Sequence, residues 1–354
     1  MAYDRIIYTT PEQQLEKLKS QNLQISNEKF ALDNLKTFGY SNLIKSYRDP
    51  YTYIENSKKR YRSGITFEQL HSLYMLDKNL RNAVMAAMLD LEEHLKEIAA
   101  EVIANSFGIH QDQYLAFKNY RDRKSVKSKF SLGQILSKMK KALDTDKEPI
   151  YHYNNKYGVV PPWILFKSMY FGTIINYIKM FKPPQQMKMV SFLYDLSALK
   201  LNIDQCRKLM MDTLFISYEY RNIAAHGGRV YNYIPNAKLR WAEIFGPDYA
   251  TNDFGGFSQL LFLLNLLKYS RPYERLSVTL TEELNRHCKD YPQDVTYLGQ
   301  ILNINITEKT VVFITEGSKI FHNNQYCSGM LNAQSISLEE AEELNLCPCK
   351  KCCT

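Results

Sequence analysis

The sequence predicts a mostly α-helical protein that ends in a small module of mixed helix and strand. Across residues 11–289, apolar residues recur every three or four positions, which is the spacing of amphipathic helices. Near residue 295 this pattern is replaced by a β-branched and aromatic run and then by a cluster of cysteines. We therefore predict an all-helical domain over residues 1–294 and an α+β metal-binding module over residues 295–354.

The helical domain is predicted to consist of several amphipathic helices. The strongest pattern covers residues 66–102, which contain neither proline nor glycine and which Thr66 can cap. Further helices are predicted at residues 11–37, 161–181, 185–199, 203–226, 254–269 and 280–289. Pro183-Pro184 and Arg271-Pro272 are expected to end two of them, because proline cannot continue a helix. Residues 40–61 are expected to be irregular, and no strand is expected before residue 295.

The C-terminal module is predicted to combine a short hairpin with one helix. Residues 310–314 and 320–321 are β-branched or aromatic and flank a Glu-Gly-Ser turn, which predicts two paired strands. Ser337 and Glu340 have the spacing of a capping box and predict a helix at residues 338–344. Such a short segment can bury little apolar surface by itself, so a structural metal would stabilise it.

Histidine and cysteine residues in this module have the spacing of metal ligands. Two closely spaced pairs predict a tetrahedral zinc with one histidine and three cysteines as ligands. These ligands are His322, Cys327, Cys349 and Cys352. Cys347 and Cys353 are spare thiols that can replace a ligand, and a cluster of free thiols is the alternative to a metal site. Four protein ligands leave no open position on the ion, so we predict a structural zinc and no catalytic metal.

The composition indicates a folded protein with a mild preference for polyanions. Of the 354 residues, 45% are hydrophobic, and 45 lysines and arginines exceed 37 acidic residues, for a net charge of +8. The 26 tyrosines suit stacking on unpaired bases beside phosphate contacts, although most are expected to be ordinary helix-surface residues. The chain shows no secretory signal and no apolar stretch long enough to span a bilayer, so we expect a soluble, cytoplasmic protein.

Residues 118–141 form the clearest run of positive charge in the sequence. One interpretation is a groove wall that follows the phosphate backbone of RNA, and the other is a solvated loop and helix face. The residues predicted to bind RNA are Lys118, Arg121, Arg123, Lys124, Lys127 and Lys129.

Residues 221–226 read Arg-Asn-Ile-Ala-Ala-His and combine the side chains needed to cleave RNA. On a helix, Asn222 and His226 are four residues apart and share a face. A histidine can remove and return protons near neutral pH, and Arg221 can hold a phosphate and its transition-state charge. Asn222 can orient the imidazole or the phosphate. Attack by the RNA's own 2′-hydroxyl needs no metal, and DNA lacks that hydroxyl. The spacing alone is weak evidence, because it arises by chance in many proteins.

Several further motifs follow one another along the chain in a specific order. The longest is residues 220–232, which read Tyr-Arg-Asn-Ile-Ala-Ala-His-Gly-Gly-Arg-Val-Tyr-Asn. The others are Leu15-Glu16-Lys17-Leu18, Leu73-Tyr74, Asp77, Leu80-Arg81, Leu91-Glu92, Pro162-Trp163 and Phe171-Gly172. Together they resemble the abortive-infection (Abi-like) family of bacterial HEPN ribonucleases over about residues 10–270. Many relatives carry a cysteine and a second histidine where this chain has Ala224 and Gly227.

The resemblance implies an all-α HEPN-type domain and a metal-independent endoribonuclease of phage defence that cleaves single-stranded RNA. Its catalytic residues would be Arg221, Asn222 and His226. Related nucleases combine two such motifs, so a chain with one motif implies a homodimer with a composite site. Some relatives are toxins, and some are paired with a small noncoding RNA. HEPN domains often place an acidic residue against the arginine, and Glu92 and Glu93 are candidates for that position.

Two other functions are compatible with the same residues. One is a non-catalytic RNA-binding protein on the HEPN scaffold, in which the arginine and histidine are structural. The other is a nucleic-acid-binding regulator that acts through the C-terminal zinc module. The presence of all three of Arg221, Asn222 and His226 favours the ribonuclease over both.

Overall fold

A computed structural model of the protein describes residues 7–122, 130–249, 255–306, 311–322, 327, 330 and 333–353. In this part of the chain the predicted, mostly helical architecture is confirmed, with three small sheets of two strands each. The chain forms two compact units. Unit 1 comprises residues 1–81 and 278–354, and unit 2 comprises residues 82–277. These units do not coincide with the division at residues 294 and 295, which stays a prediction.

The helices and strands have well-defined bounds. The helices are α1 (Pro11–Ser20), α2 (Glu28–Phe38), α3 (Phe67–Phe107), α4 (Gln111–Tyr114), α5 (Leu132–Leu143), α6 (Ile150–Tyr157), α7 (Pro162–Leu165), α8 (Phe171–Lys179), α9 (Pro183–Leu193), α10 (Leu196–Leu199), α11 (Ile203–Ala225), α12 (Trp241–Phe245), α13 (Phe257–Asn265), α14 (Arg271–Asp290), α15 (Val295–Leu302) and α16 (Leu338–Glu343). The strands are β1 (Thr52–Glu55), β2 (Lys58–Tyr61), β3 (Val311–Ile314), β4 (Ile320–Phe321), β5 (Gln334–Ser337) and β6 (Cys347–Pro348).

Two strands lie in the stretch that was expected to be irregular. β1 and β2 form an antiparallel hairpin in which Tyr53 lies opposite Arg60. Asn56 and Ser57 connect the strands with positive φ angles of 48° and 59°, as in the tight turns that match the twist of a hairpin. The expectation of no strand before residue 295 is therefore wrong. The turn lacks the glycine that usually identifies such a connection in a sequence.

Both proline-containing pairs begin helices in the structure. Pro183 is the first residue of α9, and Pro272 is the second residue of α14. A proline in the first turn is tolerated because its missing N–H would have no partner inside the helix, and its φ already suits a helix. Both pairs follow the end of a helix, α8 or α13, as predicted, but the helix predicted at residues 280–289 begins nine residues earlier, at Arg271. The predicted helix over residues 161–181 is also interrupted, since Met169 and Tyr170 are extended between short helical segments.

The core of unit 2 is built around α11. Its apolar side chains pack with those of α8, α9, α12 and α13. Leu209, Leu214 and Ile216 of α11 are buried, and so are Ile174 and Ile178 of α8. At typical values each such side chain contributes about 1.5–3 kcal/mol relative to remaining exposed. This packing holds α11 rigidly as far as its C-terminal end, where the candidate site lies.

A buried polar cluster connects distant segments of unit 1. His287 is fully buried between the hydroxyl of Ser72 and the carboxylate of Asp294, each at 2.9 Å. Asp294 also accepts hydrogen bonds from the hydroxyl of Tyr51 at 2.6 Å and from the amide of Gln69. Burial alone would raise the pKa of Asp294, but the hydrogen bonds from His287, Gln69 and Tyr51 hold it below the ordinary 3.8.

The strands of the C-terminal module pair differently from the predicted hairpin. β3 pairs with β5 in antiparallel register, and β4 pairs with β6 in parallel register. β3 and β4 are connected by one bridge, in which Phe313 and His322 exchange two backbone hydrogen bonds. The helix that follows β5 is confirmed as α16, with the hydroxyl of Ser337 accepting from the amide of Glu340 at 3.1 Å.

Candidate functional site

The sequence places strong start and stop signals at the two ends of α11. Asn202 and Gln205 form a complete capping box at its start. At its end, Gly228 donates to the carbonyl of Ile223 and Gly227 donates to that of Ala224, which is the Schellman arrangement. Gly227 has a φ of +71°, a conformation that favours glycine. The prediction that the two glycines stop this helix is confirmed, and it puts His226 at the C-cap.

Asn222 and His226 line an open cleft at this end of α11. The cleft has a volume of about 420 Å³ and is lined by Glu219, Asn222, Ile223, His226, Tyr233 and Asn236. The first four residues follow the helix spacing of three and four positions, so they lie along one face of α11. His226 is exposed, and its imidazole can therefore reach a molecule that enters the cleft.

Arg221 does not line this cleft. It is half-buried, its Nε atom is buried without a hydrogen-bond partner, and no described residue forms an ion pair with it. Arg221 and His226 are five residues apart, so they lie about 140° apart around the axis of α11. The structure thus brings Asn222 and His226 together and leaves Arg221 on a different side of the same helix end.

The two acidic candidates for a partner of Arg221 have other surroundings. Glu92 is buried and forms an ion pair at 2.8 Å with Lys96, one turn further along α3. Glu93 is exposed. Neither forms an ion pair with Arg221 within the described chain, so an acidic partner for this arginine stays a prediction.

The far wall of the cleft is a loop that Glu219 holds against α11. One carboxylate oxygen accepts hydrogen bonds from the hydroxyl of Tyr233 at 3.0 Å and from the amide of Asn236 at 2.6 Å. The other accepts from the amide of Ala237 at 2.9 Å. Burial and the hydrogen bond with Glu219 raise the pKa of Tyr233 to about 12, so its hydroxyl remains a donor at neutral pH.

Two further contacts fasten the same loop. Arg240 forms a bidentate ion pair with Asp212 of α11, with a shortest distance of 2.8 Å. The hydroxyl of Tyr220 donates to the carbonyl of Tyr233 at 3.0 Å. Sequence reasoning missed Glu219, although its spacing of three and seven residues before Asn222 and His226 could have placed it on their face.

The predicted basic surface is only partly covered by the described residues. Lys118 and Arg121 are exposed and lie near the end of α8. The ammonium group of Lys182 donates a hydrogen bond to the carbonyl of Lys118. The backbone amide of Arg121 donates to the carbonyl of Met180. The remaining predicted RNA-binding residues, Arg123, Lys124, Lys127 and Lys129, lie outside the described residues.

The motif Phe171-Gly172 has a packing role against α11. The ring of Phe171 meets that of Tyr218 edge-on at 6.1 Å. A Cβ atom added to Gly172 would lie 2.7 Å from Cζ of Tyr218, which is closer than atoms can approach without movement. A glycine at this position of α8 therefore lets the two helices approach closely.

The four predicted metal ligands come together in the C-terminal module. Their ligand atoms lie within 4.8 Å of one another. Nδ1 of His322 is 3.6 Å from Sγ of Cys352, and Sγ of Cys327 is 3.9 Å from Sγ of Cys349. In a tetrahedral site with Zn–S bonds near 2.3 Å, neighbouring sulfurs are about 3.8 Å apart. Burial and the thiols of Cys352 and Cys349 raise the pKa of Cys327 to about 11. This group could bind a metal ion.

The two spare cysteines have other positions. Cys353 packs against the small core of the module, formed by Val312, Phe321 and Ala341, and its sulfur lies 3.5 Å from the carbonyl oxygen of Phe321. Cys347 is exposed on β6. Neither belongs to the group of four potential ligands.

The fold and site define a helical protein with an Asn–His pair at an open cleft and a separate His/Cys group. A family model described as Abi-like protein matches residues 33–232, which is more than half of the chain. The chain therefore belongs to the Abi-like protein family, and this membership associates it with abortive infection, a defence against phage. The match includes residues 221–226 and ends before the His/Cys group. Comparisons with curated proteins and with solved structures find no match.

Within the described residues, no helix has both the length and the apolar character needed to cross a membrane.

Proposed function

We propose that the protein is a metal-independent HEPN endoribonuclease of abortive infection that cleaves single-stranded RNA. The observation that carries the proposal is the cleft at the end of α11, where Asn222 and His226 share one open face. Among the described residues the cleft holds one carboxylate, that of Glu219, which is already hydrogen-bonded to its loop. Such a cleft offers proton transfer by a histidine but not the paired carboxylates of a two-metal site.

The reaction is an internal transfer within the RNA. His226 accepts the proton of a ribose 2′-hydroxyl, and the oxygen attacks the adjacent phosphorus. The bond from phosphorus to the 5′-oxygen breaks, and that oxygen takes up a proton, leaving a 2′,3′-cyclic phosphate and a 5′-hydroxyl. Asn222 hydrogen-bonds the phosphate or the imidazole, and the guanidinium of Arg221 stabilises the extra negative charge on the phosphoryl oxygens.

A second copy of the chain completes the site. Because Arg221 lies about 140° around the helix from His226, one α11 does not direct both side chains into one cleft. In a symmetric dimer the same surface meets itself, so each copy can offer its arginine to the cleft of the other. Control by a small noncoding RNA stays a prediction.

The C-terminal group is proposed to bind zinc. One nitrogen and three sulfur ligands at these separations suit a tetrahedral structural zinc, which favours soft thiolates over the oxygen ligands of Mg²⁺ or Ca²⁺. Zinc bound there would join β4, β6 and the C-terminal turn of the module, whose own buried core is small. All four positions are taken by protein, so this ion would have no part in cleavage.

Cleavage of an unstructured RNA in the presence of a chelator tests the proposal. Wild type is expected to leave 2′,3′-cyclic phosphate ends, and His226→Ala is expected to be inactive while remaining folded. His110→Ala is the matched control, because His110 is another exposed histidine of unit 2, and it should cleave normally. Equal cleavage by His226→Ala and wild type would contradict the site, and inactivity of all three would favour the non-catalytic RNA-binding protein.

Mixing two inactive variants tests the composite site. A dimer of one Arg221→Ala chain and one His226→Ala chain keeps one intact Arg–His combination only if the two residues come from different chains. Random exchange of equal amounts should then restore about a quarter of wild-type activity. No recovery, with exchange of subunits verified, would show that each chain carries its own site.

A further inference from the structure

Helix α6 presents an exposed aromatic cluster that the proposed cleft does not use. Its sequence is Ile-Tyr-His-Tyr-Asn-Asn-Lys-Tyr, and Ile150 is its one buried residue. Tyr151 is 47% exposed and Tyr157 is 55% exposed. The rings of Tyr153 and Tyr157 have centroids 5.4 Å apart, and His152 lies 5.8 Å from each of them. His152, Tyr153 and Tyr157 thus form one aromatic cluster on α6. Tyr151 lies about 160° around the helix axis from Tyr153 and is not part of this cluster.

Positive charge surrounds this aromatic surface. Nζ of Lys156 lies 5.2 Å from the ring centre of Tyr157. The side-chain amide of Asn154 donates to the carbonyl of Leu143 at 2.8 Å, which fastens α6 to the last turn of α5. Lys140 and Lys141 belong to that same turn and are exposed. Residues 138–157 contain five lysines and three carboxylates, Asp144, Asp146 and Glu148, and Glu148 caps the backbone amide of His152.

We propose that α6 and the last turn of α5 form a binding surface for single-stranded nucleic acid. Unpaired bases would stack on the rings of Tyr153 and Tyr157, while Lys140, Lys141 and Lys156 contact the phosphates. Aromatic rings beside lysines are the combination that binds single strands without reading their sequence. Protein interfaces are also rich in tyrosine but are depleted of lysine, so the composition favours nucleic acid over a protein partner.

The surface has a specific consequence for substrate choice. Stacking on a ring does not involve the 2′-hydroxyl, so this surface binds single-stranded RNA and single-stranded DNA alike. The inference rests on the proposed ribonuclease function, since it names where the substrate strand is held. DNA of the same sequence is then a competitor that is bound but not cut.

Binding is tested in the full-length His226→Ala protein, so that the RNA remains intact. Fluorescence anisotropy is measured with labelled poly(U) and oligo(dT). Replacing Tyr153 and Tyr157 together with alanine is expected to weaken binding of both strands by at least about tenfold. The same two positions changed to phenylalanine should bind as the parent does, because phenylalanine keeps the stacking face. Tyr53→Ala, at another exposed tyrosine in unit 1, is the control and should change nothing.

The lysines are tested by the salt dependence of binding. Changing Lys140 and Lys141 to glutamine should reduce the slope of log affinity against log salt concentration by about 1.4. This is the contribution of two phosphate contacts on a single strand. Unchanged affinity after loss of both tyrosines, or a parent that binds neither strand, would overturn the inference. If the tyrosine variant binds normally and the wild-type protein cleaves RNA, the binding surface is rejected and the ribonuclease function is kept. Tyrosine-dependent binding without any cleavage by wild type rejects the ribonuclease and keeps the surface.

Discussion

Replacing Glu219 with glutamine is expected to loosen the loop that forms the far wall of the cleft. Glutamine has one acceptor oxygen instead of two. If that oxygen keeps the contacts with Tyr233 and Asn236, the new NH2 group faces the amide of Ala237, and two donors then oppose each other. The change thus removes one hydrogen bond to a charged acceptor while keeping the shape of the side chain.

The size of the effect follows from these contacts. A hydrogen bond to a charged group contributes about 1.5–3 kcal/mol, and the half-exposed position of Glu219 reduces this to about 1–2 kcal/mol. For a unit of the size of residues 82–277, such a loss lowers Tm by about 2–8 °C. Because the same loop lines the cleft, kcat/KM for RNA cleavage should fall by about tenfold to a hundredfold.

Amide hydrogen exchange measures the loosening directly. The backbone amides of Asn236 and Ala237 should exchange faster in Glu219→Gln than in wild type, while the buried part of α11 keeps its protection. Glu243→Gln is the matched control, since Glu243 forms an exposed ion pair with Lys208 in the same unit and the loss of such a pair should change stability little. Equal exchange at the two loop amides in both variants would refute the role assigned to Glu219.

Three further outcomes are expected. Gly172→Ala should destabilise unit 2 by about 1–3 kcal/mol in denaturant unfolding, because the added Cβ meets the ring of Tyr218. Gly133→Ala, whose Cβ would lie in open space, should stabilise unit 2 by about 0.5–1 kcal/mol. Equal effects of the two substitutions would count against a close approach at Gly172. Elemental analysis should find about one zinc per chain. The zinc should be lost in Cys349→Ser and retained in the control Cys347→Ser. Retention of zinc in both variants would exclude the proposed set of ligands. The pKa of Asp294 is lower in the folded than in the unfolded chain, so its contribution to stability is present above about pH 3.8 and is lost as the pH falls further. Urea unfolding across this range should show that loss in wild type and less of it in Asp294→Asn.

Much of the helical fold was predictable because its signals are local. The apolar spacing of α3, the hydroxyl of Thr66 that accepts from Gln69 at 3.0 Å, and the glycines after α11 act within a few residues of the chain. The errors arose where one local signal has two meanings. A proline pair both follows one helix and begins the next, and a tight turn without glycine was not recognised between β1 and β2.

The sequence by itself determined which chemical groups this protein has available. The order Arg-Asn-x-x-x-His before two glycines set Asn222 and His226 on one face at a helix end, and the spacing of histidine and cysteine indicated a metal site. These features depend on helix geometry and on short loops, which a few neighbouring residues specify.

Only the tertiary structure decided how those groups are surrounded. It packs Cys353 against a small core, leaves Cys347 exposed and brings the four predicted ligand atoms within 4.8 Å of one another. It also brings the loop of Tyr233 and Asn236 onto Glu219, which creates the cleft, and leaves Arg221 outside it. The reason is that these contacts join residues from separate segments, and their geometry depends on how whole helices pack rather than on any local pattern.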